Sequence, residues 1–341
     1  MFSLLLGLTF AADPMDWEKE EAVHLRNIRQ VTRDFARAGE GYFSPDGKTI
    51  IFQAEDKESG NPFYQIYTQD LATGRVHRVS PGIGKTTCSF FRPDAKKVIF
   101  ASTHLDPNAK DQYAEEFRRR DEEKKSGKRR RYVWDFDPHF DIFEADPDGS
   151  NLRRLTTADG YDAEGSYSPD GKQIVFCSNR SGPENLELYI MDSDGRNVRQ
   201  LTHAPKCYNG GPFFSPDGKR VIFRSDRKKK EHLQLFVINT DGTGERALTD
   251  DLDWVQWAPY WYSDSHHIVY AGANHAVPGR PNYDVYWMDV ETGKKVRLTY
   301  APGADVLPVF SPDGKRLMWT STREGHQPAQ IYIADFIPPK E

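Results

Sequence analysis

Hydrophobic positions along this chain come in short runs, and each run follows the same kind of polar turn. The turn reads Phe43-Ser-Pro-Asp-Gly-Lys48, Phe91-Arg-Pro-Asp-Ala-Lys96, Tyr167-Ser-Pro-Asp-Gly-Lys172, Phe214-Ser-Pro-Asp-Gly-Lys219, Tyr262-Ser-Asp-Ser-His266 and Phe310-Ser-Pro-Asp-Gly-Lys315. Proline presets φ for the first central turn position, aspartate bonds its own backbone and glycine accepts φ > 0, so each copy predicts a hairpin turn. An apolar strand follows every copy: Thr49 to Phe52, Lys97 to Phe100, Gln173 to Phe176, Arg220 to Phe223, His267 to Tyr270 and Arg316 to Trp319. A third strand recurs downstream at Gln65-Ile-Tyr67, Asp141-Ile-Phe143, Glu187-Leu-Tyr189, Gln234-Leu-Phe236, Asp284-Val-Tyr286 and Gln330-Ile-Tyr332. Four of these lead to an outer strand ending in Leu-Thr (Leu155-Thr156, Leu201-Thr202, Leu248-Thr249, Leu298-Thr299), and Val79-Ser80 is a weaker fifth copy.

The turn aspartates Asp46, Asp94, Asp170, Asp217, Asp264 and Asp313 lie 48, 76, 47, 47 and 49 residues apart. A period of that size predicts propeller blades, with an insertion in the second interval. After Gln330-Ile-Tyr332 no outer strand follows, whereas Asn27 to Thr32 reads as an outer strand with no inner strands before it. Thr32 precedes Asp46 by 14 residues and Thr202 precedes Asp217 by 15, so Thr32 is in register with the other blades. The expected fold is all-β: a six-bladed β-propeller of four-stranded antiparallel blades over residues 27–337, closed by pairing the N-terminal strand with the C-terminal hairpin.

The net charge of −5 gives no general case for nucleic acid, and 13% aromatic residues suit packing between blades. Phe2 to Phe10 followed by Ala11-Ala12 resembles a signal peptide over residues 1–12, too short to span a bilayer, with 13–26 an N-terminal extension. Cys88, Cys177 and Cys207 fall on different blades, and an odd count without a motif argues against a disulfide framework or zinc site.

The Ser-Pro-Asp-Gly-Lys turn, the strand Leu188-Tyr-Ile-Met-Asp192 and the Arg-x-Leu-Thr exit together resemble the propeller of the TolB family, periplasmic components of the Tol-Pal envelope system, and related WD-type repeats of secreted proteins. The resemblance covers residues 27–337 and implies a periplasmic or secreted monomer that binds a protein or peptide partner on one propeller face. TolB itself carries an α/β domain ahead of its propeller, whereas some 26 residues precede the first strand here. Related propellers also serve as lyases and as peptidase gating domains, so fold alone does not settle function.

Connectivity puts the Pro-Asp-Gly turns on one side of the ring and the blade-entry loops on the other, where function is expected. The entries offer Arg37, Glu40, Asp162, Glu164, Asn209, Trp257 and Asp305 around a central channel, with Lys85 and Trp254 nearby. Clustered carboxylates there would favour a cation or a basic partner side chain. The insertion, His104 to Trp134, adds a charged arm on the same side, with Arg118, Arg119, Arg120, Arg129, Arg130 and Arg131; Asn108 to Ser126 favours helix, Gly127 a stop, and Ala109, Tyr113, Ala114 and Phe117 a thin apolar stripe. Its readings are a solvated arm or a partner-docking lid. Lys228-Lys-Lys230 adds positive charge on this face, but without an interleaved aromatic platform, so nucleic acid is not expected.

Two sets leave room for a divalent cation: Asp135, Asp137, His139 and Asp141, which alternate, and His203, His275 and His326, which fall in loops of the same face. Alternation also arises when a strand with one polar face enters a sheet. Nothing supplies a nucleophile with its base: there is no Gly-x-Ser-x-Gly elbow, no His-Glu-x-x-His helix and no phosphate-cradling loop. No catalytic residue and no cofactor are assigned. An interaction module is the reading carried forward, and a lyase or hydrolase acting on carbohydrate or peptide with a metal-assisted site at the channel mouth is the alternative.

Overall fold

The computed structural model describes residues 16–128, 135–323 and 328–340. The expected leader over residues 1–12, together with Arg129, Arg130, Arg131 and His326, lies outside the described residues.

The chain enters through a one-turn helix, α1 (Trp17–Glu21), and the closing strand β1 (Leu25–Gln30). Blade 1 holds β2 (Arg37–Phe43), β3 (Thr49–Glu55), β4 (Gln65–Asp70) and β5 (Val76–Arg78). Blade 2 holds β6 (Thr86–Phe91), β7 (Val98–Ser102), β8 (Asp141–Ala145) and β9 (Arg153–Arg154), with helix α2 (Asp111–Ser126) between its second and third strands. Blade 3 is β10 (Asp162–Tyr167), β11 (Gln173–Ser178), β12 (Glu187–Asp192) and β13 (Arg199–Gln200). Blade 4 is β14 (Asn209–Phe214), β15 (Arg220–Ser225), β16 (Gln234–Asn239) and β17 (Arg246–Ala247). Blade 5 is β18 (Trp254–Trp261), β19 (His267–Asn274), β20 (Asp284–Asp289) and β21 (Lys295–Arg297). Blade 6 is β22 (Asp305–Phe310), β23 (Arg316–Ser321) and β24 (Gln330–Phe336), completed by β1 in the order β1-β24-β23-β22. The six antiparallel sheets and the split closing blade are the expected architecture.

Closure differs from expectation in detail. The outer strand pairs over Leu25–Gln30, two residues earlier than Asn27–Thr32, with a bulge where Asn27 takes φ 52°. Thr32 lies past its end and works as a latch. Its hydroxyl donates to Gln330 Oε1 at 2.7 Å and accepts from the Ile331 amide at 2.9 Å. The same latch holds the other Leu-Thr exits: Thr156, Thr202, Thr249 and Thr299 each accept the amide of the second residue of a third strand, as Ser80 does in blade 1.

The Pro-Asp-Gly turns are satisfied from within. In the first, Ser44 donates to Asp46 Oδ1 at 2.6 Å, the same oxygen accepts the Lys48 amide at 3.0 Å, and Ser44 Oγ accepts the Thr49 amide. The Ser44 hydroxyl and the Lys48 amide hold the Asp46 carboxyl below its usual range. Where glycine is missing, Ala95 and Ser265 adopt the left-handed conformation themselves, at φ 58° and 61°. Between blades the strands bury Phe52, Phe100, Phe176, Phe223, Tyr270 and Trp319, one from each second strand, which places the core radially around the ring.

Candidate functional site at the channel mouth

All six innermost strands bulge at one level. Their ladders slip at this point, and Glu40, Cys88, Glu164, Gly211, Ala258 and Leu307 each take φ between 48° and 59°. A bulge re-aims side chains and increases local twist, and a left-handed conformation costs a residue other than glycine about 1–2 kcal/mol. Six such residues form a ring about the axis. Two positions further in, Tyr42, Phe90, Phe213 and Tyr260 close the channel from four blades, with Phe213 and Tyr260 rings 5.1 Å apart and Tyr42 and Phe90 5.2 Å apart. The mouth is therefore a funnel with an aromatic floor.

A buried ionic cluster sits above the floor. Arg224 of β15 reaches Glu164 of β10 at 2.9 Å, and both side chains are more than nine-tenths buried. Glu164 also accepts from Tyr161, Tyr208 and the Gly211 amide, the last at 2.6 Å. Gly210 and Gly211 make room for this network: a Cβ on Gly211 would stand 2.6 Å from Arg224 Nη1, and one on Gly210 2.3 Å from the Tyr208 hydroxyl. Glu40 lines the same cavity, with 8% of its surface exposed. Tyr42 donates to it at 3.4 Å, and among the described residues no cation lies within salt-bridge distance. Burial pushes the Glu40 carboxyl up to about 7, against the pull of Cys88 and Arg224.

The remaining rim residues are paired. Asp162 bonds Arg180 and Asp305 bonds Arg323, at 2.9 and 3.2 Å. Asn209 accepts from Arg227 at 2.6 Å. Each arginine follows its partner by 18 residues in a Ser-x-Arg sequence, donates its backbone amide to that serine's hydroxyl, and lays its guanidinium over aromatic rings such as Phe176, Phe223 and Trp319. Blade 1 inverts the pair, with Arg37 bonding Glu55 at 2.9 Å and lying over the Tyr64 ring. Burial raises the Asp162 and Asp305 carboxyls in spite of these arginines. Asp162 and Asp305 thus do not join Glu40 and Glu164 in the central cavity. Their charge is spent within their own blades, which the one-dimensional list of carboxylates could not show. The Trp257 ring lies 5.5 Å from the Arg224 guanidinium carbon.

The arm is docked. α2 begins at Asp111, three residues after the expected start, and Gly127 ends it at φ 67°. Arg120 donates to Glu55, Glu116 and the Pro62 carbonyl, and the Tyr113 hydroxyl accepts the Gly84 amide at 2.8 Å. Of the expected stripe Ala109 is buried, whereas Ala114 is exposed and Phe117 is 46% exposed. Arg118 and Arg119 pair with Glu122 and Glu115 on the outer surface of the helix.

Asp135, Asp137, His139 and Asp141 do not converge. Lys85 takes both Asp135 and Asp137, at 2.6 and 2.9 Å, and Asp141 bonds Arg154 at 2.5 Å. Burial opposes ionisation of Asp137, but Lys85 and the His139 amide outweigh it and hold its carboxyl below the usual range. His139 lies beside Asp137 at 3.1 Å. Between the two aspartates, Phe136 lies against Tyr161 and Tyr208, 5.4 and 6.1 Å between centroids, so residues 135–137 form a strap over one side of the mouth. His203 is exposed, and His275 instead meets the Tyr283 hydroxyl at 2.8 Å. Among the described residues no three His, Cys, Asp or Glu side chains gather to hold a metal ion.

Sequence reasoning missed Arg224, Tyr208 and Ser89. One signal was available: the position after the second-strand aromatic is Gln53, Ala101, Cys177, Arg224, Ala271 and Thr320, so a charge stands there in blade 4 alone. It also missed α1. Glu21 is 1% exposed, bonds Arg323 at 2.8 Å and accepts the amides of Tyr300 and Ala301.

Residues 185–337 match the family described as the TolB beta propeller domain. A stretch of 47 residues is 45% identical to the Tol-Pal system protein TolB of Bordetella pertussis, covering 14% of this chain and 10% of that relative's length. Among solved structures, the putative TolB of Agrobacterium tumefaciens superposes with a TM-score of 0.59 at 20% identity, covering 89% of this chain and 91% of that one. An oligogalacturonate lyase of Vibrio parahaemolyticus superposes with a TM-score of 0.55 at 16% identity, covering 90% and 93%. The chain carries a TolB-like six-bladed propeller, and at these identities the structural likenesses speak for the fold alone. No described helix is long and apolar enough to cross a membrane.

Proposed function

We propose that this TolB-like propeller is a periplasmic or secreted protein-interaction module that receives a protein or peptide partner on its channel-mouth face. The observation that carries this reading is the asymmetry of the two faces. One face presents turns whose carboxylates are satisfied by their own serines and amides. The other bears α1, the docked arm and the strap, three additions that the ring does not need for closure, around a funnel with Arg37, Glu40, Glu164, Asn209 and Trp257 in or near its wall. Additions concentrated on one face of a rigid scaffold are where binding is built. Arginine and aromatic side chains, abundant here, are also the residues that dominate protein interfaces. A metal-assisted lyase or hydrolase site has less support, because the mouth's aspartates are committed to arginine and lysine partners.

The test is site-specific photocrosslinking in the native compartment. A photoreactive phenylalanine at Phe117 or Phe136 should capture a discrete partner, and one at Lys172 or Lys219 on the opposite face should not. Crosslinks from Lys172 and Lys219 alone would reverse the assignment of the face.

A further inference from the structure

Two observations at the base of the funnel point to an occupant. The first is Glu40: its neighbours Glu164, Arg224, Tyr42 and Cys88 provide one guanidinium for two carboxylates, and that guanidinium is bonded to Glu164. A buried carboxylate without a cation of its own either takes a proton or recruits a positive group. The second is Ser89, which lines the same cavity, is 1% exposed, and has a hydroxyl oxygen with no hydrogen-bond partner. Buried polar groups in native structures are paired, so an orphan hydroxyl on a residue that lines a cavity leaves a bonding capacity unmet there.

The free space is about 20 Å³, room for about one water. A planar guanidinium, with four heavy atoms, is larger than one water. The space fits a –NH₃⁺ head, which is about as large as water and carries three donors. Half-buried Leu307 lines the cavity together with Pro259 and Pro308, so an aliphatic stem on the head would meet apolar surface.

We propose that the base of the channel is a receptor for one primary ammonium group, carried by a lysine side chain or the amino terminus of the partner, with Glu40 and Ser89 as its acceptors. This rests on the interaction reading above and names the partner chemistry. With Glu40 ionised, the ammonium takes the net charge of the Glu40, Glu164 and Arg224 cluster from −1 to zero; with Glu40 protonated it replaces the proton, which goes to solvent, and the net charge stays at zero.

The probe is n-butylammonium, titrated into the full chain at pH 8 and constant ionic strength and followed by chemical shifts or calorimetry. Saturable binding is expected, about ten-fold weaker in Glu40→Gln and a few-fold weaker in Ser89→Ala. Tetramethylammonium, which has no donor, should not compete, and guanidinium should not fit. Free ammonium should bind more weakly than butylammonium because it lacks the stem. Equal affinity in Glu40→Gln, competition by tetramethylammonium, or no saturation by the wild type would overturn the proposal, as would free ammonium binding as tightly as butylammonium. Should Glu40→Gln fold poorly, Ser89→Ala with the tetramethylammonium control still decides. Rim crosslinks without butylammonium binding would remove this site and leave the interaction role standing, and the opposite pattern would do the reverse.

Discussion

Thr32 Oγ1 and Gln330 Oε1 lie 2.7 Å apart in space and 298 positions apart in sequence. That bond, with the Ile331 amide on the same hydroxyl, fastens the two ends of the chain into one blade, because blade 6 lacks an outer strand until the N-terminal segment supplies it. Thr32→Val should destabilise the ring by about 1–3 kcal/mol, the penalty for leaving buried partners unmet. Denaturant unfolding measures it, with Thr202→Val, the equivalent latch inside blade 3, as calibration. A silent Thr32 change beside a costly Thr202 change would show that closure does not depend on the latch.

The Glu40 carboxyl gives stability a pH dependence of definite sign. Its folded pKa of about 7 lies above the ordinary 4.5, so between those values the folded chain binds more protons than the unfolded one. Stability then falls as pH rises from about 5 to 8, by about 3 kcal/mol for this group. Asp284, pushed by burial up to about 7 although Arg297 bonds it, acts in the same window. Glu40→Gln should reduce the slope in a series of melts, and an unchanged slope would count against a buried neutral Glu40.

Arg224 should be among the most sensitive positions in the ring. Arg224→Met leaves Glu164 buried without its cation, which costs about 3–5 kcal/mol, and adding Glu164→Gln should recover part of the loss. Gly211→Ala forces a Cβ toward Arg224 at φ 58° and should also be destabilising. A double-mutant cycle by urea unfolding tests the coupling; additive losses would mean that the pair is not energetically linked.

The arm should detach without unfolding the propeller. Arg120→Ala removes its bonds to Glu55 and the Pro62 carbonyl, and none of the residues of α2 itself is buried. Trypsin cleavage after Lys124 and Lys125 should accelerate, while global stability changes by no more than about 1 kcal/mol. A large loss of global stability would place the arm in the folding core.

Lys85→Met should loosen the strap, since it leaves Asp137 buried without a cation. Hydrogen exchange over residues 135–140 should rise while strands of blades 4 and 5 stay protected. Uniform protection across the strap would mean that the Phe136 packing on Tyr161 and Tyr208 holds it alone.

The chain itself specified the blade count, the turn chemistry, the insertion and the closing segment. All of these follow from local patterns: a Pro-Asp-Gly turn carries its own hydrogen bonds, a strand alternates by itself, and a period is visible in one dimension. Even the latch was legible, because Thr32 holds the same offset from its turn as the threonines of intact blades. The site was legible only as a roll of polar rim residues. Which of them stay available depends on partners far along the chain: Arg180 silences Asp162, Arg323 silences Asp305 together with Glu21 from the N-terminal helix, and Lys85 occupies Asp135 and Asp137, two of the residues that resembled a cation site. Glu40 is set apart because bulges bring six strands to one level and Arg224 reaches Glu164 instead. Charge in a sequence is a list, whereas charge in a cavity is a balance of burial and neighbours less than about 4 Å away. Only the closed ring decides that balance.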